Sequence, residues 1–280
     1  MEIVKTKSHI RNIVAEARKK GRRIGFVPTM GYLHDGHVSL IRNSQKDGCF
    51  TIVSIFVNPL QFGPSEDFNR YPRDTERDLS ILKKESTDAV FIPSTEEMYD
   101  NQHLTFVNVS KISEKLEGAI RPGHFTGVCT VVAKLFNIIL PDNAYFGWKD
   151  AQQLVIIRKM VKDLDFNINI IPVATVREPD GLAASSRNVY LSPQERKKAL
   201  VLSKSLQKIN KMVEYDQITD AKILIDEGKK IIRTEDVELQ YLEAVELENF
   251  TPVSTIGKKT GIVGAIKIGK VRLIDNIIWE

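Results

Sequence analysis

Cysteine is scarce in this chain of 280 residues: Cys49 and Cys129 are the only two, and they lie far apart. That excludes a disulfide framework and a structural zinc site of the usual cysteine spacing. Two lone thiols suit a reducing compartment, so a cytoplasmic location is expected. No apolar run reaches the roughly 20 residues that span a bilayer. The longest, Val128 to Leu140, is interrupted by Lys134 and Asn137 and reads as a buried helix. Met1–Thr6 lacks the basic-then-apolar pattern of a signal peptide. No compact basic block accompanies the net charge of +4, so neither nucleic acid nor membrane is expected as a partner. An anionic small molecule remains open, because a local field matters more than the total charge. Internal repeats and low-complexity segments are also missing.

What is present is an alternation of strand-like and helix-like segments. Strands are expected at Ile24–Val27, Phe50–Val57, Ala89–Ile92 and Ile168–Val173, each rich in Val, Ile or Phe. Helices are expected at Ser8–Lys20, Gly36–Gln45, Thr75–Glu85, Gly127–Leu140 and Asp150–Leu164. This order implies an α/β fold: a doubly wound, Rossmann-like parallel sheet covered on both faces. Beyond Pro179 the pattern changes. Helices are expected at Pro193–Tyr215 and Thr219–Thr234, the first capped by Ser192 with Glu195 as partner. Strands follow at Val237–Val245, Gly261–Ile268 and Val271–Ile278. The chain therefore reads as two domains, 1–178 and a smaller C-terminal α+β domain over 179–280.

The densest chemistry lies in Pro28-Thr29-Met30-Gly31-Tyr32-Leu33-His34-Asp35-Gly36-His37, between the first expected strand and a helix. His34 and His37 are three residues apart and share a helix face. Gly31 and Gly36 permit a tight turn and close approach to a ligand. The helix start offers N–H groups to an anion. The site reads as two imidazoles aimed at a phosphate; a metal site is the chemical rival, but no third soft ligand stands nearby.

Further blocks are weaker one by one. Asn58–Gly63 reads as an ordinary Pro–Gly turn or as amides that fix a ligand. Asp67–Arg73 reads first as a polar loop and second as a binding loop. Arg121 offers a bidentate partner for a carboxylate or phosphate, while His124 reads equally as a helix cap or core residue. Lys149-Asp150, after Gly147-Trp148, reads as a solvated pair or as a nucleotide site with Lys on phosphate and Asp on Mg²⁺. Ala183–Asn188 is a short polar loop with Arg187.

Taken together, His34-Asp35-Gly36-His37 and Ala184-Ser185-Ser186-Arg187 resemble the signature of the HxGH nucleotidylyl transferases. Within these, six spaced blocks are similar, in order, to the pantothenate synthetase (pantoate–β-alanine ligase) family. They are Pro28 to His37, Phe56 to Phe62, Tyr71-Pro72-Arg73, Arg121 to Phe125, Gly147 to Gln153 and Ser185 to Asn188. The resemblance implies ATP-dependent condensation of pantoate with β-alanine through pantoyl adenylate, with Mg²⁺ as cofactor and a homodimer as assembly. It assigns ATP to Met30, Gly31, Tyr32, Leu33, His34, Asp35, Gly36 and His37, to Gly147, Trp148, Lys149 and Asp150, to Val176, and to Ala184, Ser185, Ser186 and Arg187. His37, His34, Lys149 and Arg187 carry the catalytic roles, Asp150 the metal, and the loop at 184–187 closes over the phosphates. Gln61 and Gln153 grip pantoate, Gln61 lying also near β-alanine. Two positions depart from the family pattern: Trp148 stands where a Glu or Gln is expected, and Tyr32 where a small residue is common. The rivals are a nucleotidylyl transferase for a phosphate-bearing acceptor, which the amides of Gln61 and Gln153 suit poorly, and a nucleotide-binding module without catalysis.

Overall fold

A computed structural model describes every residue except Ser65, Asp67 and Asn101. The loop read over Asp67–Arg73 therefore has its first residue outside the described set. The chain forms two compact units: Met1–Gly147 with Ile156–Val173, and Trp148–Val155 with Ala174–Glu280. A single boundary at 178/179 is expected from the sequence; the units part after Val173, and the stretch Trp148–Val155 goes with the second.

The first unit runs β1 (Glu2–Val4), α1 (Lys7–Lys19), β2 (Ile24–Thr29), α2 (Asp35–Lys46), β3 (Phe50–Ile55), α3 (Thr75–Lys84) and β4 (Ala89–Phe91). It continues through α4 (Thr95–Met98), α5 (Glu117–Ile120), α6 (His124–Ile139), β5 (Asn143–Gly147), α7 (Ala151–Asp163, counted with this unit from Ile156) and β6 (Asn169–Val173). The six strands form one sheet in the order β1-β4-β3-β2-β5-β6, every pair parallel. From β2 the chain builds outward to β3 and β4, then returns to add β5 and β6 on the other side. The order of the sheet thus reverses at β2, which is where a parallel sheet opens a crevice beyond its strand ends. The ladder itself shows the opening. β2 pairs with β3 as far as Thr29, but with β5 only at Gly25 and Phe26. Pro28, which lacks an N–H, falls after the β5 ladder has ended.

Burial explains the composition of these strands. Ile24, Phe26, Val27, Ile52 and Val53 have no exposed surface, as strands covered on both faces require. Nearly all of α6 is buried as well. The structure differs from the sequence expectation at several ends. Strand β3 stops at Ile55, two residues short, because Val57 and Asn58 open a turn. Helix α6 starts at His124, three residues early, on Gly123 in the left-handed region. Trp148–Asp150 forms a 3₁₀ turn, and α7 begins only at Ala151. β1 and β5 are not among the expected strands.

The second unit contains α8 (Pro193–Glu214), α9 (Ala221–Ile232) and the antiparallel sheet β7-β8-β9 (Glu238–Glu246, Thr260–Ile268, Val271–Trp279). The start of α8 is the expected capping box: Ser192 Oγ accepts from Glu195 N–H, and the Glu195 carboxylate accepts from Ser192 N–H. Leu202, Leu206, Ile209, Leu224, Leu242, Ile262 and Ile266 form its core.

Candidate active site

The turn after β2 places both histidines at the carboxyl end of the sheet. His34 is the N-cap of α2, and its Nδ1 accepts from Gly36 N–H at 3.1 Å. His37 reaches back, its Nδ1 accepting from His34 N–H at 3.3 Å. This is a capping box built from two imidazoles in place of the usual hydroxyl and carboxylate. Because both Nδ1 atoms accept, each neutral ring carries its proton on Nε2. The ring centroids are 4.0 Å apart. The structure modifies the expectation of N–H groups waiting at this helix start: that of Gly36 is taken by His34 Nδ1 and that of His37 by His34 O.

Holding that turn in shape is Asp78, from the first turn of α3. Its two oxygens accept from Tyr32 and Leu33 N–H, each at 2.7 Å. Gly31 and Tyr32 both have positive φ, +82° and +51°. A side chain at Gly31 would also press on Asp78 and Ile55 at 3.0 Å. The left-handed turn therefore depends on an outside anchor. Asp78 is 1% exposed, and burial pushes its carboxyl above the ordinary value, with the Leu33 and Tyr32 amides and Arg77 opposing. Arg77 lies over the Tyr32 ring at 4.9 Å, so the bulky residue at this position is used as a platform. Asp78→Asn turns an amide N–H₂ toward one of the two N–H donors. A loss of about 1–3 kcal/mol is expected, measured by denaturant unfolding.

A second turn, Pro59–Gln61, follows β3. Asn58 caps it, its Oδ1 accepting from Leu60 N–H. Gln61 packs beside the histidine turn, its Nε2 3.0 Å from Met30 Sδ. Helix α6 reaches the Pro59–Gln61 turn because Gly127 has no side chain: a Cβ there would lie 2.2 Å from Leu60 O and 2.6 Å from Gln61 Cα. His124, read as a helix cap or a core residue, is neither: Gly123 is the cap of α6, and His124 is half-buried between Arg121 and the Gln61 turn. Arg121 Nη1 donates to His124 Nε2 at 3.0 Å, which leaves the proton on Nδ1 to donate to Gln61 O at 2.9 Å. Burial, then the Arg121 charge, pushes His124 down to about 4, so the ring is neutral. Arg121 also meets Glu66 in a fork of two 2.7 Å bonds. Burial pulls the Glu66 carboxyl up, but Arg121 outweighs it and holds it below the usual range. Arg121 is thereby a buttress of the Gln61 turn.

In the second unit, Lys149 Nζ pairs with Asp150 Oδ1 at 3.3 Å. Their 3₁₀ turn is held by Asn276 of β9, whose Nδ2 donates to Trp148 O at 2.8 Å and Lys149 O at 3.0 Å. Trp148 is buried. Gln153 lies one turn on, half-buried in α7. Val176 O accepts from Ala184 N–H at 2.9 Å, which brings those two positions together. Ser185 Oγ accepts from Arg187 N–H, and Asn188 Nδ2 donates to Ala183 O and to Glu178. Asp78, Tyr99, Gly127 and Asn276 were not singled out by the sequence. Each acts across a long stretch of chain, and no local motif marks them.

Comparison with known proteins adds a whole-chain match. The family model for pantoate-beta-alanine ligase covers residues 2–278. The pantothenate synthetase of Thermoanaerobacter pseudethanolicus is 55% identical over 97% of this chain and 96% of its own length. That of Sulfurihydrogenibium sp. is 52% identical over 99% of both. The crystal structure of pantothenate synthetase from Thermus thermophilus superposes with a TM-score of 0.94 at 43% identity, covering 99% of each chain. The Francisella tularensis enzyme, crystallised with beta-gamma ATP and beta-alanine, gives 0.78 at 36% identity over 99% of this chain and 97% of that one. With its histidine turn at the switch point and these relatives along its whole length, the chain belongs to the pantoate–β-alanine ligase family, whose members are ligases joining pantoate to β-alanine.

Proposed function

We propose that the residues assigned above carry this condensation in two steps. A carboxylate oxygen of pantoate attacks the α-phosphorus of ATP, and the bond to the bridging oxygen breaks to release pyrophosphate. The amine of β-alanine then attacks the acyl carbon of pantoyl adenylate. The acyl–oxygen bond breaks, AMP leaves, and the nitrogen gives up a proton to solvent. The observation that carries this reading is the pair of imidazoles, His34 and His37, each fixed through Nδ1 in the turn after β2. Charge grows on the phosphate oxygens during attack, and donors already in place stabilise it without reorganising. His37 is assigned the α-phosphate and His34 the triphosphate, with Met30 to His37 lining the nucleotide. Gly147 to Asp150, Val176 and Ala184 to Arg187 are assigned to the same nucleotide, Lys149 and Arg187 as its cations. Gln61 and Gln153 are assigned to pantoate. No side-chain nucleophile is needed, because the substrate's carboxylate attacks.

Asp150 is the residue assigned to Mg²⁺. Among the described residues no three His, Cys, Asp or Glu side chains gather into a metal cluster. A single carboxylate fits an ion that keeps most of its shell as water and substrate phosphate. When bound, the ion supplies neutralisation of phosphate charge. Location in the cytoplasm is in keeping with Cys49 and Cys129, both free and buried. Assembly as a homodimer rests on the resemblance. Among the described residues no helix is long and apolar enough to cross a membrane.

The test is pyrophosphate release from ATP and Mg²⁺ with D-pantoate, with and without β-alanine. Release that requires pantoate, with AMP and pantothenate appearing once β-alanine is added, is the expected result. ATP binding without pantoate-dependent release would overturn it.

A further inference from the structure

Gln61 is a primary amide, and an amide can offer a substrate either its carbonyl or its N–H₂. Which end it offers decides whether it selects an acceptor such as a carboxylate or hydroxyl, or a donor such as an amine. The neighbours of Gln61 settle that choice. Asn58, 1% exposed, is held by partners whose roles cannot reverse. The Gly127 carbonyl can only accept, and Asn58 Nδ2 donates to it at 3.0 Å. The Leu60 amide can only donate, and Asn58 Oδ1 accepts from it at 3.3 Å. The Asn58 amide therefore has one orientation. Its remaining N–H donates to Gln61 Oε1 at 3.1 Å. Gln61, 7% exposed, thus has its carbonyl engaged and its N–H₂ turned to Met30 Sδ, a weak acceptor.

The last partner of Asn58 is Tyr99, whose hydroxyl donates to Asn58 Oδ1 at 2.8 Å, shorter than the bond from Leu60. The Tyr99 ring is held independently of that hydroxyl, by Phe56 at 6.1 Å, His103 at 4.9 Å and Lys134 Nζ over its face at 5.3 Å. Burial pushes the Tyr99 hydroxyl far above the ordinary tyrosine value, so it stays a donor.

We propose that Tyr99 is a positioning residue for pantoate: its hydroxyl strengthens the hold on Asn58, and through it keeps the amide of Gln61 presenting N–H₂, not C=O, to the hydroxy acid. The proposal rests on the reading of Gln61 as a pantoate residue and deepens it. An acceptor-bearing group of the substrate is selected at this position.

The test is steady-state kinetics on Tyr99→Phe, Gln61→Glu and the double variant, with unfolding curves for each. Tyr99→Phe keeps the ring and removes the hydroxyl. It is expected to raise the pantoate KM about three- to tenfold, the loss of one neutral hydrogen bond, and to leave the ATP KM unchanged. A merely structural role would lower stability without that split. Gln61→Glu keeps the Asn58 contact and replaces the outward donor by an acceptor. It is expected to raise the pantoate KM at least about tenfold. In the double variant Tyr99→Phe is expected to add nothing further, because it acts through Gln61. A large effect of Gln61→Glu with a normal pantoate KM in Tyr99→Phe overturns the proposal and leaves the reading of Gln61 standing. A normal pantoate KM in Gln61→Glu overturns both. Equal, additive losses for ATP and pantoate would also overturn the proposal.

Discussion

His37→Ala is expected to lower pantoate-dependent pyrophosphate release by about 10²–10³-fold while the protein stays folded. The magnitude is that of removing one donor aimed at developing charge. The fold survives because His37 sits in the first turn of α2, half-buried, and the capping bond that the alanine loses is worth about 1 kcal/mol. ATP affinity is expected to change little, since the Nε2–H bond strengthens as charge builds in the transition state. Single-turnover measurement of the first half-reaction, together with ATP binding by calorimetry, checks both parts. Turnover near that of the parent protein would remove His37 from its role. His37→Asn is a useful companion, because its amide restores a donor though not the reach of the ring.

Gly127→Ala is the second substitution with a large expected effect. One methyl group placed 2.2 Å from Leu60 O and 2.4 Å from Leu60 C cannot be accommodated by a rotamer change, since both atoms are backbone. Either α6 or the Pro59–Gln61 turn must move by about 1 Å. A shift of that size at a substrate-positioning group costs on the order of 10²-fold in rate, and overpacking a core costs about 1–3 kcal/mol. The expected result is a fall of about 10²-fold in kcat/KM for pantoate, with ATP binding preserved, and a lowered unfolding midpoint. Gly123→Ala supplies the contrast. Nothing lies within 4 Å of its Cβ, but φ is +82°. It is expected to cost about 1 kcal/mol of backbone strain with a much smaller loss for pantoate.

How much of this was legible in the sequence depended on range. The histidine turn, the Ser192–Glu195 cap and the central strands are short-range patterns, and their residue types announce them. β5 escaped because Asn143-Ala144-Tyr145-Phe146-Gly147 has no β-branched residue and is bounded by Asn and Gly; it pairs because its neighbours bury it on both sides. β1 is three residues long, too short for any periodicity. Asp78 resembles any acidic residue near the start of a helix. Only the folded chain brings it 46 positions back to Tyr32. Gly127 looked like an ordinary residue beside an apolar helix, because nothing local reveals what packs over it. Arg121 reads as a bidentate partner for a carboxylate or phosphate, and the carboxylate it meets is the chain's own Glu66. The residues assigned to substrate were therefore readable, and those that hold them in place were not.

The neutral imidazole of His124 also sets an acid limit on the molecule. Its Nε2 faces a guanidinium that can only donate, so a proton added there has no acceptor and meets a like charge. The ring's value falls to about 4 in the folded chain, from an ordinary 6.5. Between those two values the unfolded chain binds a proton that the folded chain refuses. Stability contributed by this group is complete above about pH 6.5 and declines as the solution is acidified toward pH 4, by on the order of 3 kcal/mol. Thermal melts across that range are expected to slope downward with acid, and His124→Gln to flatten the slope. A proton added at Nε2 leaves the Nδ1–H bond to Gln61 O in place and turns Arg121 away, so what acid releases is the arginine brace of the Gln61 turn.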